Sequence, residues 1–275
     1  MTRRMSVRQP LLAILLLAAA APSVASAAPA PATTGPIADA VANPARSEAN
    51  RKRDRYRHPV ETLAFFGVRP DQTLVEYVPG GGWYTEILGP LLREKGHYIA
   101  LVPDNMRMKE GTAKLLAAHK AILGANAELA TVDPSTGAST LAPDSADVIL
   151  TFRNVHNLIM NGDDAAPHVF GAFYKALKPG GVLGVVDHRL PENRDSALEK
   201  KSGYLKRSTI VKLATDAGFR LVGESEINAN PKDKANYPGG VWTLPPVLAK
   251  GEENRAAYLA IGESDRMTLK FVKPR

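Results

Sequence analysis

The sequence predicts an α/β fold, a doubly wound and mostly parallel seven-stranded sheet with an antiparallel terminal strand. Three observations carry this. Short apolar runs alternate with helical patterns from residue 73 onward. The runs are apolar along most of their length, as strands covered on both faces must be. The first run opens into a glycine-rich turn followed by a helix, a join suited to holding a nucleotide-like ligand on backbone N–H groups.

The N-terminus reads as an export signal. Arg3, Arg4 and Arg8 precede an apolar run from Leu11 to Ala21, and small residues follow at Val24-Ala25-Ser26-Ala27-Ala28. This pattern marks a signal peptide over 1–27, cleaved near Ala27, and a periplasmic or secreted protein. The run is about half of the roughly 20 residues that span a bilayer, so no integral membrane segment is expected after signal removal. Arg3-Arg4 leaves both general and twin-arginine export open. Residues 28–44, rich in Ala, Pro and Thr, read as a flexible leader, and 45–275 as the folded domain. With Cys 0, disulfides and cysteine-linked lipid anchors are excluded.

The formal charge of +7 falls to +4 once the three signal arginines are removed. No lysine and arginine stripe interleaved with aromatics appears, so no nucleic-acid partner is expected and a small-molecule substrate is.

Along the domain, Ala45 to His58 is dense in charge and reads as a solvated helix ended by Pro59. A short helix over Val60 to Phe66 should turn Leu63 and Phe66 inward and stop at Gly67. Strands are expected at Thr73–Val78, His97–Val102, Ala127–Val132, Asp147–Phe152, Gly181–Asp187, Arg220–Ile227 and Arg266–Val272. Helices are expected at Tyr84–Lys95, Met106–Leu123, Asp163–Leu177 and Lys206–Ala217. The last two strands form an antiparallel ending, separated by an insertion at about 228–265. If the strand before it is parallel to the others, this insertion sits at the ligand edge, with Tyr237 and Trp242 as lid or substrate-wall residues.

Ligands of open α/β sheets bind beyond the carboxyl ends of the strands. There the sequence offers Gly80-Gly81-Gly82 after the first strand. Asp104 follows the second, placed either to bind ribose hydroxyls or to cap the next helix. The fourth strand runs into Arg153-Asn154-Val155-His156-Asn157 and the fifth ends in Asp187-His188-Arg189. Histidine is the residue type suited to proton transfer near neutral pH, which makes His156 and His188 acid–base candidates, and Asp187 can orient either imidazole. No H-x-x-x-H or similar spacing occurs, so no metal is expected.

The order Glu76…Gly80-x-Gly82-Trp83-Tyr84-Thr85, Asp104, Asp133, Pro143-Asp144-Ser145-Ala146-Asp147 and Leu177-Lys178-Pro179-Gly180-Gly181 resembles the class I S-adenosylmethionine-dependent methyltransferases. It is most similar to their exported group, described only as predicted methyltransferases. The resemblance implies a Rossmann-like methyltransferase fold, S-adenosylmethionine as cofactor and methyl transfer to a small or peripheral acceptor. It assigns Glu76, Gly80 and Gly82 to the methionine and ribose end of the cofactor, with Gly81 and Tyr84 of the same turn also cofactor-binding. It assigns Asp104 to the ribose hydroxyls, Asp133 to the neighbourhood of adenine, and Arg153, Asn154, His156, Asp187 and His188 to the catalytic edge. Val78 and Pro79 depart from it, since the family has its first glycine where Val78 stands.

Two other classes fit parts of the chain. A non-catalytic exported receptor for a nucleoside-like ligand is consistent with Val78-Pro79. A nicotinamide-dependent oxidoreductase fits the sheet but not Thr85, where a small residue belongs.

Overall fold

The computed structural model describes Met1, Thr2 and residues 35–275. The signal peptide and the first part of the leader lie outside the described residues. The described strands are β1 (Thr73–Tyr77), β2 (His97–Pro103), β3 (Ala127–Val132), β4 (Ala146–Phe152), β5 (Leu177–Leu190), β6 (Leu205–Lys206), β7 (Arg220–Ser225) and β8 (Arg266–Val272). They are ordered β3-β2-β1-β4-β5-β8-β7, and the two-residue β6 pairs only with the far end of β5. The pairs from β3 to β5 are parallel, while β8 runs antiparallel to both β5 and β7. Thus β7 keeps the direction of β5, and the chain leaves it at the edge where β1 to β5 also end.

Burial on both faces explains the continuous apolar strands. On one face Phe170 and Phe173 of the Ala165–Ala176 helix and Ile210 of the Arg207–Asp216 helix pack on Val75, Ile149 and Leu183. On the other, Leu63 and Phe66 of the Pro59–Phe66 helix join Ile87 and Leu88 of the Thr85–Leu92 helix against Leu74, Val148 and Leu150. Phe66 packs close on β5 at Gly184, where a Cβ would come 2.8 Å from its ring.

Three expectations change. The leader is not flexible throughout: Pro36–Val41 is a helix whose Ala40 is buried, with Ile37 and Val41 packed on the same apolar cluster. The solvated helix over Ala45–His58 is two single turns, Glu48–Arg51 and Asp54–Arg57, broken at Lys52-Arg53. Their arginines alternate in fate. Arg51 and Arg55 are exposed, whereas Arg46 and Arg57 are buried against Trp83, 5.3 and 4.6 Å from a Trp83 ring. Arg46 is neutralised by paired bonds to Asp54, so the charge density that reads as solvation is in part internal pairing. Finally, the Met106–Leu123 helix breaks at His119 into Met106–Ala118 and Lys120–Leu123. Among the described residues no helix is long and apolar enough to cross a membrane.

Candidate active site

The end of β1 carries backbone strain where the sequence departs from glycine. Val78 has φ +52°, in the left-handed region that a β-branched residue rarely adopts. Such a conformation costs of order 1–3 kcal/mol and persists only where neighbours impose it. Here the Val78 N–H donates to Leu101 O in β2 at 2.8 Å, and the Asn154 side-chain amide donates to Tyr77 O at 3.0 Å and Val78 O at 3.2 Å. Asn154 is therefore a clamp on the turn.

The three glycines differ. A Cβ on Gly80 or Gly81 would meet nothing within 4 Å, whereas on Gly82, at φ +79°, it would lie 2.8 Å from Leu115 Cδ1. The open side of the turn is thus at Gly80 and Gly81, and Gly82 makes room for Leu115 of the Met106–Ala118 helix.

Other predicted cofactor residues are turned inward or engaged. Glu76 is buried, and its Oε2 accepts from Tyr98 Oη at 2.6 Å and Thr85 Oγ1 at 3.1 Å. Burial pushes its carboxyl up to about 7 against the pull of those two bonds. Tyr84, expected at the cofactor, is stacked on Phe152 with ring centroids 3.5 Å apart in the core. Asp104 does not cap the next helix, since Asn105 Oδ1 accepts from Met108 N at 3.0 Å instead; Asp104 remains half exposed beside Lys109. Asp133 accepts from Ser135 and Thr136, bonds that hold its carboxyl below the usual range and close a surface turn.

Between the ends of β1 and β4 the strand order reverses, the place where such sheets open a crevice. A cleft of about 460 Å³ lies there, lined by Tyr77, Val78, Pro103, Asn105, Met108 and Asn154, among others, and reaching Asn157. Its size is that of small-molecule sites, with mostly apolar walls and a few polar groups.

A second pocket of about 200 Å³ adjoins it. Asn157 lines both, and Arg153, His156, His188 and Trp242 line the second. After β4 comes a helical turn, Val155–Met160, which points its first N–H groups at Asp187 of β5. Asp187, fully buried on β5, accepts from Val155 N at 2.8 Å, His156 N at 3.3 Å and His188 N at 2.8 Å, and lies 2.8 Å from His156 Nδ1. This fixes the tautomer: with Nδ1–H donating to the carboxylate, His156 Nε2 keeps its lone pair and can accept a proton. His188 Nδ1 contacts Ser264 Oγ at 2.5 Å. Burial and the neighbouring His156, Arg153, Arg266 and Arg57 push the His188 imidazole well below its ordinary value, so it is neutral at pH 7.

The sheet assembles what the spacing did not foretell. Donor atoms of His156, Asp187 and His188 all lie within 4.8 Å of one another, a grouping able to hold a metal ion. Arg153, Arg266 and Arg57 all act on His188 from nearby, and Asp187 is the adjacent carboxylate.

Arg153 was legible as a site residue from its strand end; the other arginines were not. Arg53 and Arg57 come from the N-terminal turns and Arg266 from β8, and all pair with Glu263 of the insertion at 2.6, 3.4 and 3.1 Å. Burial raises the Glu263 carboxyl, but Arg266, Arg57 and Arg53 outweigh it and hold it at about 2. More than 200 positions separate Arg57 from Glu263, and no local pattern joins them. Within the insertion, Trp242 lies at the pocket, on the Gly240–Thr243 turn. Tyr237 does not; it packs edge-on against Tyr258, 6.0 Å away, as part of the insertion's own support.

No protein-family model and no curated protein sequence matches the chain. Solved structures do. An S-adenosylmethionine-dependent methyltransferase from Aquifex aeolicus matches with TM-score 0.52 and 18% identity, over 64% of this chain and 87% of its own. Phosphoethanolamine N-methyltransferase 2 of Haemonchus contortus, in complex with S-adenosylmethionine, matches with TM-score 0.51 and 17% identity, over 80% of this chain and 53% of its own. The [4+2]-cyclase SpnF matches with TM-score 0.55 and 14% identity, over 82% of each chain. The sheet order, the antiparallel β8 and these likenesses establish the class I methyltransferase fold.

Proposed function

We propose that the chain is an S-adenosylmethionine-dependent methyltransferase acting on a small acceptor. The observation that carries this reading is the adjacency of two cavities at the sheet edge. The larger opens at the β1–β4 switch point, the smaller is lined by His156 with Asp187 buried behind it, and Asn157 borders both. The residues present fit the cofactor: Tyr77, Val78 and Met108 offer apolar walls for a nucleoside, and Asn105 and Asn157 offer hydrogen bonds. When bound, S-adenosylmethionine supplies an electrophilic methyl group. Asp187 orients His156, and His156 Nε2 takes the proton that the acceptor's nucleophile gives up. Trp242 excludes water over the pocket and Arg153 positions the acceptor.

The supports are the fold shared with the cofactor-bound Haemonchus enzyme and the sequence resemblance carried by the glycine turn. The same resemblance, with the signal pattern over 1–27, makes this an exported enzyme of the periplasm or cell exterior; N-terminal sequencing of the exported protein should begin near Ala28.

Titration calorimetry of the full chain with S-adenosylmethionine and S-adenosylhomocysteine tests the reading. Micromolar binding, about −8 kcal/mol, supports it. No binding at millimolar ligand overturns it. A second reading, a receptor for a nucleoside-like ligand, is favoured by Val78, whose side chain occupies the first glycine's place at the cleft. The likeness to a [4+2]-cyclase is a reminder that function resides in the site rather than the fold.

A further inference from the structure

Arg153 is the one residue at the smaller pocket whose backbone, charge and surroundings all lack an internal explanation. It stands at φ +61°, a left-handed conformation that strains a side-chain-bearing residue. Its N–H is fixed to Val186 O at 2.7 Å, which aims the side chain at the pocket rather than along β4. Its half-buried guanidinium makes no side-chain hydrogen bond or ion pair to another described residue. Burial pushes it down to about 10, as do Arg266 and Arg53, so it is still charged at neutral pH.

The neighbouring charges deepen the imbalance. Arg53, Arg57, Arg153 and Arg266 are gathered about one carboxylate, Glu263, and a second acid acting on Arg153, Asp187, is committed to His156. Buried donor atoms are left over: Arg53 Nη2, Arg57 Nη2 and Arg266 Nε have no partner. Buried charge is retained where it is paired, and a guanidinium matches an oxyanion by two parallel N–H···O bonds. The opposite wall is apolar, made by Trp242, Leu244, Pro245 and Val247. A cavity of about 150 Å³ admits a benzene ring, so the 200 Å³ here holds a ring-sized body and one anionic group.

We propose that this pocket takes a small acceptor bearing an oxyanion, a carboxylate or a phosphate, paired with Arg153 while its apolar body lies against Trp242 and Pro245. The word acceptor rests on the methyltransferase reading; the recognition of the anion does not. It places the far end of the molecule near His156, so that anion recognition and proton removal act on one bound compound.

The test is titration of the full chain at fixed ionic strength with benzoate, phenyl phosphate and the neutral isostere benzamide, followed by calorimetry and tryptophan fluorescence. The expected result is binding of benzoate or phenyl phosphate at least tenfold tighter than benzamide, the tighter of the two identifying the carboxylate or phosphate form. Arg153→Gln should abolish that preference and Arg153→Lys should keep part of it. Arg69→Gln, an exposed arginine ahead of β1 and away from the pocket, should leave it unchanged. Equal binding of benzoate and benzamide to the unaltered chain overturns the proposal without any variant having to fold. So does an anion preference that survives in Arg153→Gln. S-adenosylhomocysteine titrated into the same samples separates the two readings. Anion preference without nucleoside binding removes the methyltransferase and keeps the pocket; nucleoside binding without anion preference does the reverse.

Discussion

Asn154, at the end of β4, donates from one side-chain amide to the carbonyls of Tyr77 and Val78, the residue held left-handed at the end of β1. The two strands that flank the switch point are thereby tied at the rim of the larger cleft. The bond explains how a valine occupies a place that suits glycine: the clamp and the β2 bond from Val78 N together over-determine the turn.

Asn154→Ala should therefore loosen the turn. Leaving buried carbonyls without a donor costs about 1–3 kcal/mol. Thermal unfolding should show a lower melting temperature, and Asn154→Asp, which sets a carboxylate against two carbonyls, should be worse than Ala. Equal stability of all three proteins would remove the clamp.

Val78→Gly relieves the left-handed strain but forfeits the packing of a half-buried side chain and adds freedom to the unfolded chain. These terms nearly cancel, so the melting temperature should move by less than about 4 °C. The cleft widens, and calorimetry should report tighter S-adenosylhomocysteine binding. Weaker binding would mean that the valine methyls are themselves ligand contacts.

Glu76 supplies a pH signature. Its folded carboxyl is raised from 4.5 to about 7. In the unfolded chain it ionises first, so its contribution to stability is full below pH 4.5 and is lost as pH rises through 7. The loss is about 3 kcal/mol at most. Glu76→Gln, which keeps an acceptor for Tyr98 and Thr85, should be more stable than the parent at pH 8 and indistinguishable at pH 4. Denaturant titrations at the two values decide it.

Glu263 behaves in the opposite sense. Its folded carboxyl is depressed to about 2, so its stabilisation is present above pH 4.5 and lost as pH falls through 2. Glu263→Gln leaves Arg53, Arg57 and Arg266 facing one another and should cost about 3–5 kcal/mol at pH 7. The deficit should shrink in acid and in phosphate buffer. A deficit independent of pH would point to packing rather than charge.

His156→Ala should lower turnover of whichever acceptor is found while leaving S-adenosylhomocysteine affinity within about twofold, because general-base catalysis contributes some 10²–10⁴ in rate and nothing to nucleoside contact. Unchanged turnover would release His156 from the chemistry.

By itself the sequence determined the fold and the edge where its ligand site lies. Strands apolar on both faces can be satisfied only inside a doubly covered parallel sheet, and β3 and β8 carry the predicted bounds residue for residue. It also singled out His156, Asp187 and His188, because they stand at strand ends, and strand ends share an edge. Tertiary structure decided the remainder. Asn154 and Tyr84 stand in the expected places, but their side chains turn to a carbonyl pair and to Phe152, a choice of rotamer and packing that linear order does not encode. Asn105 rather than Asp104 caps the helix, since two adjacent capping residues differ only in how the chain leaves β2. The ion cluster was hidden most fully: Arg57 lies more than 200 positions from Glu263 and Arg266, and only Arg153, at its strand end, was legible beforehand. Charge acts through space, so only the closed fold determines which charges it leaves unpaired.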